Sequence, residues 1–165
     1  MTVDSVEKLF VDELKDLYSA EHQITKALPK MAKAASTSEL RTAFETHLKE
    51  TEGQIKRLDR AFEILGKASG GKTCKAMKGL LEEGAEVMEQ TAEGDVRDAA
   101  MISAAQRVEH YEIAGYGSVH AYAELLGQSE IAQLLQQTLN EEGEADKKLT
   151  QISKKVNKQA HRQAA

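Results

Sequence analysis

The chain has one cysteine, one proline and no tryptophan, and aromatic residues make up only 4% of it. A lone cysteine, Cys74, cannot form an internal disulfide, and it suits a reducing compartment such as the cytoplasm. It is read as a packing residue. With so little proline and so few β-branched or aromatic runs, the composition disfavours sheets and favours long helices. No uninterrupted apolar run is long enough to span a bilayer, so no membrane partner is expected. The N-terminus lacks a basic stretch followed by an apolar run, and no signal peptide is expected. Nor is there an excess of positive charge. The formal net charge is −5, which argues against nucleic acid as the main partner. The one basic concentration, Lys154, Lys155, Lys158 and Arg162, is read as a solvated C-terminal region, with 159–165 expected as a flexible tail on a domain of residues 1–158.

What is present is helical periodicity. The 165 residues are 30% charged and 41% hydrophobic, enough for one all-α domain with a real core. Four long stretches and one short one carry the pattern. The first runs from about Asp4 to Ala35, with Pro29 expected to kink its last turn. The second follows Ser36-Thr37-Ser38, where Ser36 or Ser38 can cap, and Gly66 is placed to stop it. After the loop Lys67-Ala68-Ser69-Gly70-Gly71-Lys72 comes a short helix, about Cys74 to Thr91, ended by Gly94. The third long helix, about Val96 to Leu126, is capped by Asp95 and broken by Gly127. The fourth, capped by Ser129, runs from Glu130 to about Val156. Two tight hairpins joined by a long connection give a ferritin-like four-helix bundle, with the extra short helix in the crossover. Leu48, Glu50 and Leu58 recur as Leu139, Glu141 and Leu149, each 91 residues on, which suggests a weak internal duplication.

Acids interrupt the apolar stripes. The first helix reads Leu14, Leu17, Glu21, Ile24, Leu28. The second reads Leu40, Ala43, His47, Glu50, Gln54, Leu58, and the third Ala105, Glu109, Glu112, Tyr116. The fourth reads Leu135, Thr138, Glu142, Ala145, Leu149. Glu21 lies 15 residues before Ser36 and Glu50 14 after it. Glu112 lies 15 before Gly127 and Glu142 15 after it. At ~1.5 Å of rise per residue, hairpin partners fall at nearly one level. Carboxylates buried together repel one another and lose hydration, and two divalent cations would neutralise four of them. Oxygen-rich ligation suits iron or manganese, and also magnesium or calcium. Glu141 is the alternative to Glu142, which is preferred because it continues the stripe. His47 and Asp146 are further candidate ligands, and a hydrogen bond to a core carboxylate is the other reading of His47. His22, His110 and His120 are expected at the surface. Tyr116 either packs or donates to the site. Gly53, Gly143, Gly115 and Gly117, poor helix residues near these acids, point to close backbone approach or a bulge.

Five segments carry a resemblance: Tyr18-Ser-Ala-Glu-His-Gln, His47-Leu-Lys-Glu-Thr-Glu-Gly-Gln-Ile, Val96-Arg-Asp-Ala-Ala, Val108-Glu-His-Tyr-Glu-Ile and Thr138-Leu-Asn-Glu-Glu. Over nearly its whole length the chain resembles the bacterial ferritin-like stress-protein family typified by YciF. The resemblance implies a helical bundle, homodimers, a cytoplasmic location and a link to stress responses. It does not assign a reaction. A remoter similarity to rubrerythrin and ferritin implies Glu21 and Glu109 as ligands of the first and third long helices. By the same similarity Glu50 and Glu142 would bridge, and Glu112 would be an extra carboxylate. The histidines that those proteins place three residues after the bridging acids are absent here, where Gly53 and Ala145 stand.

Two functions follow as expectations. One is a dinuclear carboxylate protein that handles iron or manganese and a small oxidant such as dioxygen or peroxide. The other is a non-enzymatic, stress-induced scaffold or binding protein with structural metal or none. A storage shell has only the basic tail to support it.

Overall fold

Ser5 opens the first helix by accepting the Lys8 N–H on its hydroxyl at 3.2 Å, a side-chain N-cap. Over residues 2–163, which the computed structural model describes, five helices follow in order. They are α1 (Val6–Ala34), α2 (Ser38–Leu65), α3 (Lys75–Gln90), α4 (Asp95–Leu125) and α5 (Ser129–Gln163). α1 continues through Pro29. Gly66 ends α2 in the left-handed region, φ 62°, a conformation with no Cβ penalty for glycine. α5 runs on to Gln163, past the end near Val156 expected from sequence, so residues 159–163 of the expected tail are helical. Residues 164 and 165 of that tail lie outside those described.

Four helix ends differ from expectation. Neither Ser36 nor Ser38 caps α2. Its N-cap is Thr37, which makes no side-chain capping bond. Instead Asp98 of α4, fully buried, accepts the backbone N–H of Ser36 and of Thr37, each at 2.8 Å, and the Ser36 hydroxyl accepts the N–H of Gly94 at 3.1 Å. At α4 the cap is Gly94, not Asp95, which is already helical. α3 ends earlier, with Thr91 as its cap. Ser129 is likewise the first residue of α5 and not the residue before it.

These contacts also fix the topology. Ser36 meets Asp98, and the Tyr116 hydroxyl reaches Glu21, so α1 and α4 are antiparallel neighbours. Glu39 pairs with Lys155, and Arg60 with Glu130, so α2 and α5 are antiparallel neighbours as well. α2 and α4 therefore start at the same end and run parallel. That requires a long crossover, which α3 occupies, lying against α1 and α4. The Gln23 amide donates to the Cys74 carbonyl, and the Ser19 hydroxyl accepts the Cys74 N–H. Cys74 is buried, as expected of a packing residue; its thiol caps α3 by accepting the Met77 N–H and lies 3.1 Å from the Tyr111 hydroxyl. Of the four questioned glycines only Gly115 has a close approach to explain it: a Cβ there would sit 2.8 Å from Leu17 Cδ2.

The core forms two apolar clusters. Phe10, Leu14, Leu17, Leu58, Phe62 and Leu135 belong to one. Ile24, Leu28, Phe44, Met77, Ile102 and Leu149 belong to the other, which lies at the α3 end. Between them, on each long helix of the bundle, lies a polar layer.

Candidate metal centre

Four helices each place polar side chains in that layer because their buried stripe is interrupted at one level. α1 contributes Glu21, α4 contributes Glu109 and Glu112 one turn apart, and α5 contributes Glu142, all buried. α2 contributes His47, also buried. His47 Nε2 lies 3.2 Å from Glu109 Oε1 and 3.8 Å from Glu142 Oε2. One ligand atom each from His47, Glu109, Glu112 and Glu142 can be chosen so that all lie within 4.8 Å of one another. Glu21 adjoins this group, its Oε1 accepting the hydroxyl of the fully buried Tyr116.

Few of these oxygens are satisfied. Among the described residues, Glu21 Oε2, Glu109 Oε2 and both oxygens of Glu112 and Glu142 have no hydrogen-bond partner. A buried carboxylate left in that state disfavours its own ionisation. Burial, followed by the charge of Glu142, raises Glu21 to about 8, although the Tyr116 hydroxyl works the other way. Burial first, and then the neighbouring carboxylates, push Glu109 and Glu112 well above the usual carboxylate range. His47 is different. Burial works to lower its pKa, but the hydrogen bond to Glu50 and the charges of Glu142, Glu21 and Glu50 raise it on balance. Carboxyls whose ionisation burial opposes, oxygens without partners and one imidazole form a donor set that fits divalent cations. Cations could replace carboxyl protons.

The residues expected at the site divide by geometry. Glu21, His47, Glu109, Glu112 and Glu142 come together. Glu50 does not join them: its side chain is 36% exposed and its Oε2 faces His47 Nδ1 at 3.2 Å. That contact favours the proton on Nδ1 and leaves Nε2 toward the carboxylates. Asp146 also stands outside, on the α4–α5 surface, where it accepts from Gln106 at 3.2 Å and lies 3.5 Å from His110. Of the two neighbouring acids on α5, Glu142 is the buried one, while Glu141 is bound by Arg57 and by Gln54. His22 and His110 are exposed and His120 is half-buried. Of the two readings of Tyr116, the structure shows the one in which its hydroxyl donates to the site, and its position one turn beyond Glu112 was the available signal.

Relatives of known structure share this architecture. Residues 5–162 match the family described as a domain of unknown function, DUF892. The chain belongs to this family. Protein YciF of Escherichia coli K12 is 48% identical to this DUF892 chain over 166 residues, 99% of this chain and all of YciF. The crystal structure of that stress protein superposes with a TM-score of 0.91 at 46% identity, covering 94% of this chain and 99% of the other. YcfI from Rhodopseudomonas palustris gives 0.87 at 45% identity, over 90% and 94%. A protein from Xanthomonas campestris pv. campestris, at 23% identity and a TM-score of 0.78, covers 98% of this chain and all of its own, and shares the fold. The sequence resemblance to the YciF-type family is therefore confirmed. Among the described residues of this DUF892 chain, no helix is long and apolar enough to cross a membrane.

Proposed function

We propose that the chain is a ferritin-like dimetal carboxylate protein of the stress response. In this reading it acts in the cytoplasm as a homodimer and handles iron or manganese together with a small oxidant. The observation that carries the reading is the buried layer of four glutamates and one histidine with six partnerless carboxylate oxygens. Four ionised carboxylates match the charge of two divalent ions, and carboxylates this deeply buried are hard to keep ionised without cations. Glu21, Glu109, Glu112, Glu142 and His47 would hold the ions. Bound iron or manganese would supply the electrons for reducing dioxygen or peroxide; magnesium or calcium would confine the site to a structural role.

The chain's own groups have separable tasks. Tyr116 fixes one oxygen of Glu21 and leaves the other free to bind. Glu50 orients the His47 ring from the wetter side. The densely packed cluster away from α3 excludes water from that side of the layer and strengthens the charge interactions there.

Metal analysis of protein purified without chelator tests this. Two ions per chain are expected, reduced to one or none by Glu142→Gln or Glu112→Gln, with the helical content unchanged. Purified protein that is metal-free and takes up no iron or manganese at micromolar concentration would overturn the proposal and favour a scaffold role.

A further inference from the structure

The α3 end of the bundle contains a cavity of about 1110 Å³, slightly above the roughly 300–1,000 Å³ of typical small-molecule sites. It is a slot between the two hairpins. Leu28 and Met31 of α1 line it, with Ala105 and Val108 of α4, Leu149 of α5 and Leu81 of α3. Small side chains create it: Ala27, Ala43, Ala104, Ala105 and Ala145 all border the space. The slot reaches His47 and Glu109 at its inner edge.

Charged side chains border it on two sides of the bundle. On the α2–α5 side Lys147 pairs with Glu144 at 2.7 Å and Lys155 with Glu39 at 3.9 Å, while Lys148 has no ion pair among the described residues. On the α1–α3 side stand Lys26, Lys30, Lys78 and Glu82. Lys78 pairs with Glu82 at 3.8 Å. Lys26 and Lys30, one turn apart on α1 and exposed, have no ion pair among the described residues. A largely apolar cavity bordered on its α1 side by two unpaired ammonium groups one turn apart is complementary to a molecule with an apolar tail and one anionic head.

We propose that the slot binds an unbranched amphiphilic anion of the fatty-acid class. The carboxylate sits at Lys26 and Lys30, and the alkyl tail lies between the hairpins. This inference does not depend on the metal reading, because the groups it uses, Lys26, Lys30 and the apolar side chains lining the slot, are not among the proposed metal ligands.

Titration calorimetry on the full chain, with octanoate, decanoate and dodecanoate below their micellar concentrations, tests it. One saturable site per chain is expected, tightening by up to about fourfold per methylene until the slot is filled. Ala105→Phe should weaken dodecanoate at least tenfold. If that variant fails to fold, Ala27→Phe, at a half-buried position, replaces it. Lys26→Glu combined with Lys30→Glu should weaken dodecanoate about tenfold and admit dodecyltrimethylammonium, which the unmodified protein rejects. Chelator-treated protein and Glu142→Gln should bind dodecanoate as before, so failure of the metal reading leaves this result intact. Three outcomes overturn the inference: no saturable binding, equal binding of anion and cation by the unmodified protein, or a slot closed by self-association, seen as α3 protected from hydrogen exchange only in a dimer.

Discussion

The two ends of the bundle are made from the same four helices, yet they are packed differently. Away from α3, Phe10, Leu14, Leu17, Leu58, Phe62 and Tyr116 interdigitate, and at Gly115 the helices approach so closely that Leu17 occupies the space of a missing Cβ. At the α3 end, alanines line the slot, and Leu80, Leu81 and Met88 are only half-buried. The polar layer separates the two regimes. One end is built as a rigid wall for the layer and the other as a space beside it, and a buried charged layer needs support on only one side if ligands are to approach from the other.

The contrast can be broken by mutation. Leu58→Ala, in the dense end, should cost about 4 kcal/mol of unfolding free energy, whereas Leu28→Ala, beside the slot, should cost about 2. Urea denaturation of both variants measures the gap, and equal losses would mean that the ends are packed alike. Next in size is the layer's response to pH. Glu21 is raised from 4.5 to about 8, so metal-free folded protein keeps a proton that the unfolded chain has released. Stability is therefore lost as pH rises between those values, and the upward shifts of Glu109, Glu112 and His47 act in the same direction. Metal-free protein should lose a few kcal/mol between about pH 5 and about pH 8. Protein saturated with manganese should not, and parallel denaturation series with and without manganese would expose a flat metal-free profile. Smallest is a pair of glycine substitutions. Gly115→Ala meets Leu17 at 2.8 Å and should cost about 1–2 kcal/mol. Gly84→Ala meets only Ala104 Cβ at an ordinary 3.8 Å and should gain about 0.5–1 kcal/mol. Thermal melts would show shifts of opposite sign.

Much of the bundle and of its polar layer is legible in the amino-acid sequence. Glu21, Glu109, Glu112 and Glu142 stand out because long, regular helices leave little freedom about which positions face inward. Glu50 shows the limit of that reasoning. The helical period lies between three and four residues, so after His47 the buried line can step to Glu50 or to Thr51. The structure takes Thr51 and continues to Gln54 and Leu58, all buried, which turns Glu50 outward. The same ambiguity exists between Glu141 and Glu142, where Leu149, seven residues on, favours the buried one. Asp98 gives no signal, since an acid in the first turn of a helix ordinarily serves its own helix, and here it serves another. The slot is invisible for a different reason: alanine is neutral in any hydrophobic pattern, so a stripe of alanines reads as core whether or not the facing side chains fill the space.

Asp98 has one more consequence. It clamps the start of α4 to the start of α2, and counting from that clamp, Glu109 lies 11 residues beyond Asp98 and His47 11 beyond Ser36. Two parallel rods pinned at one end and notched at equal distances, about 16 Å along, bring their notches level whatever strap joins them. The crossover can thus lengthen, shorten or change its sequence without shifting the register of the acids. Evolution is free to remodel α3 and the loops around it while the interior layer stays aligned.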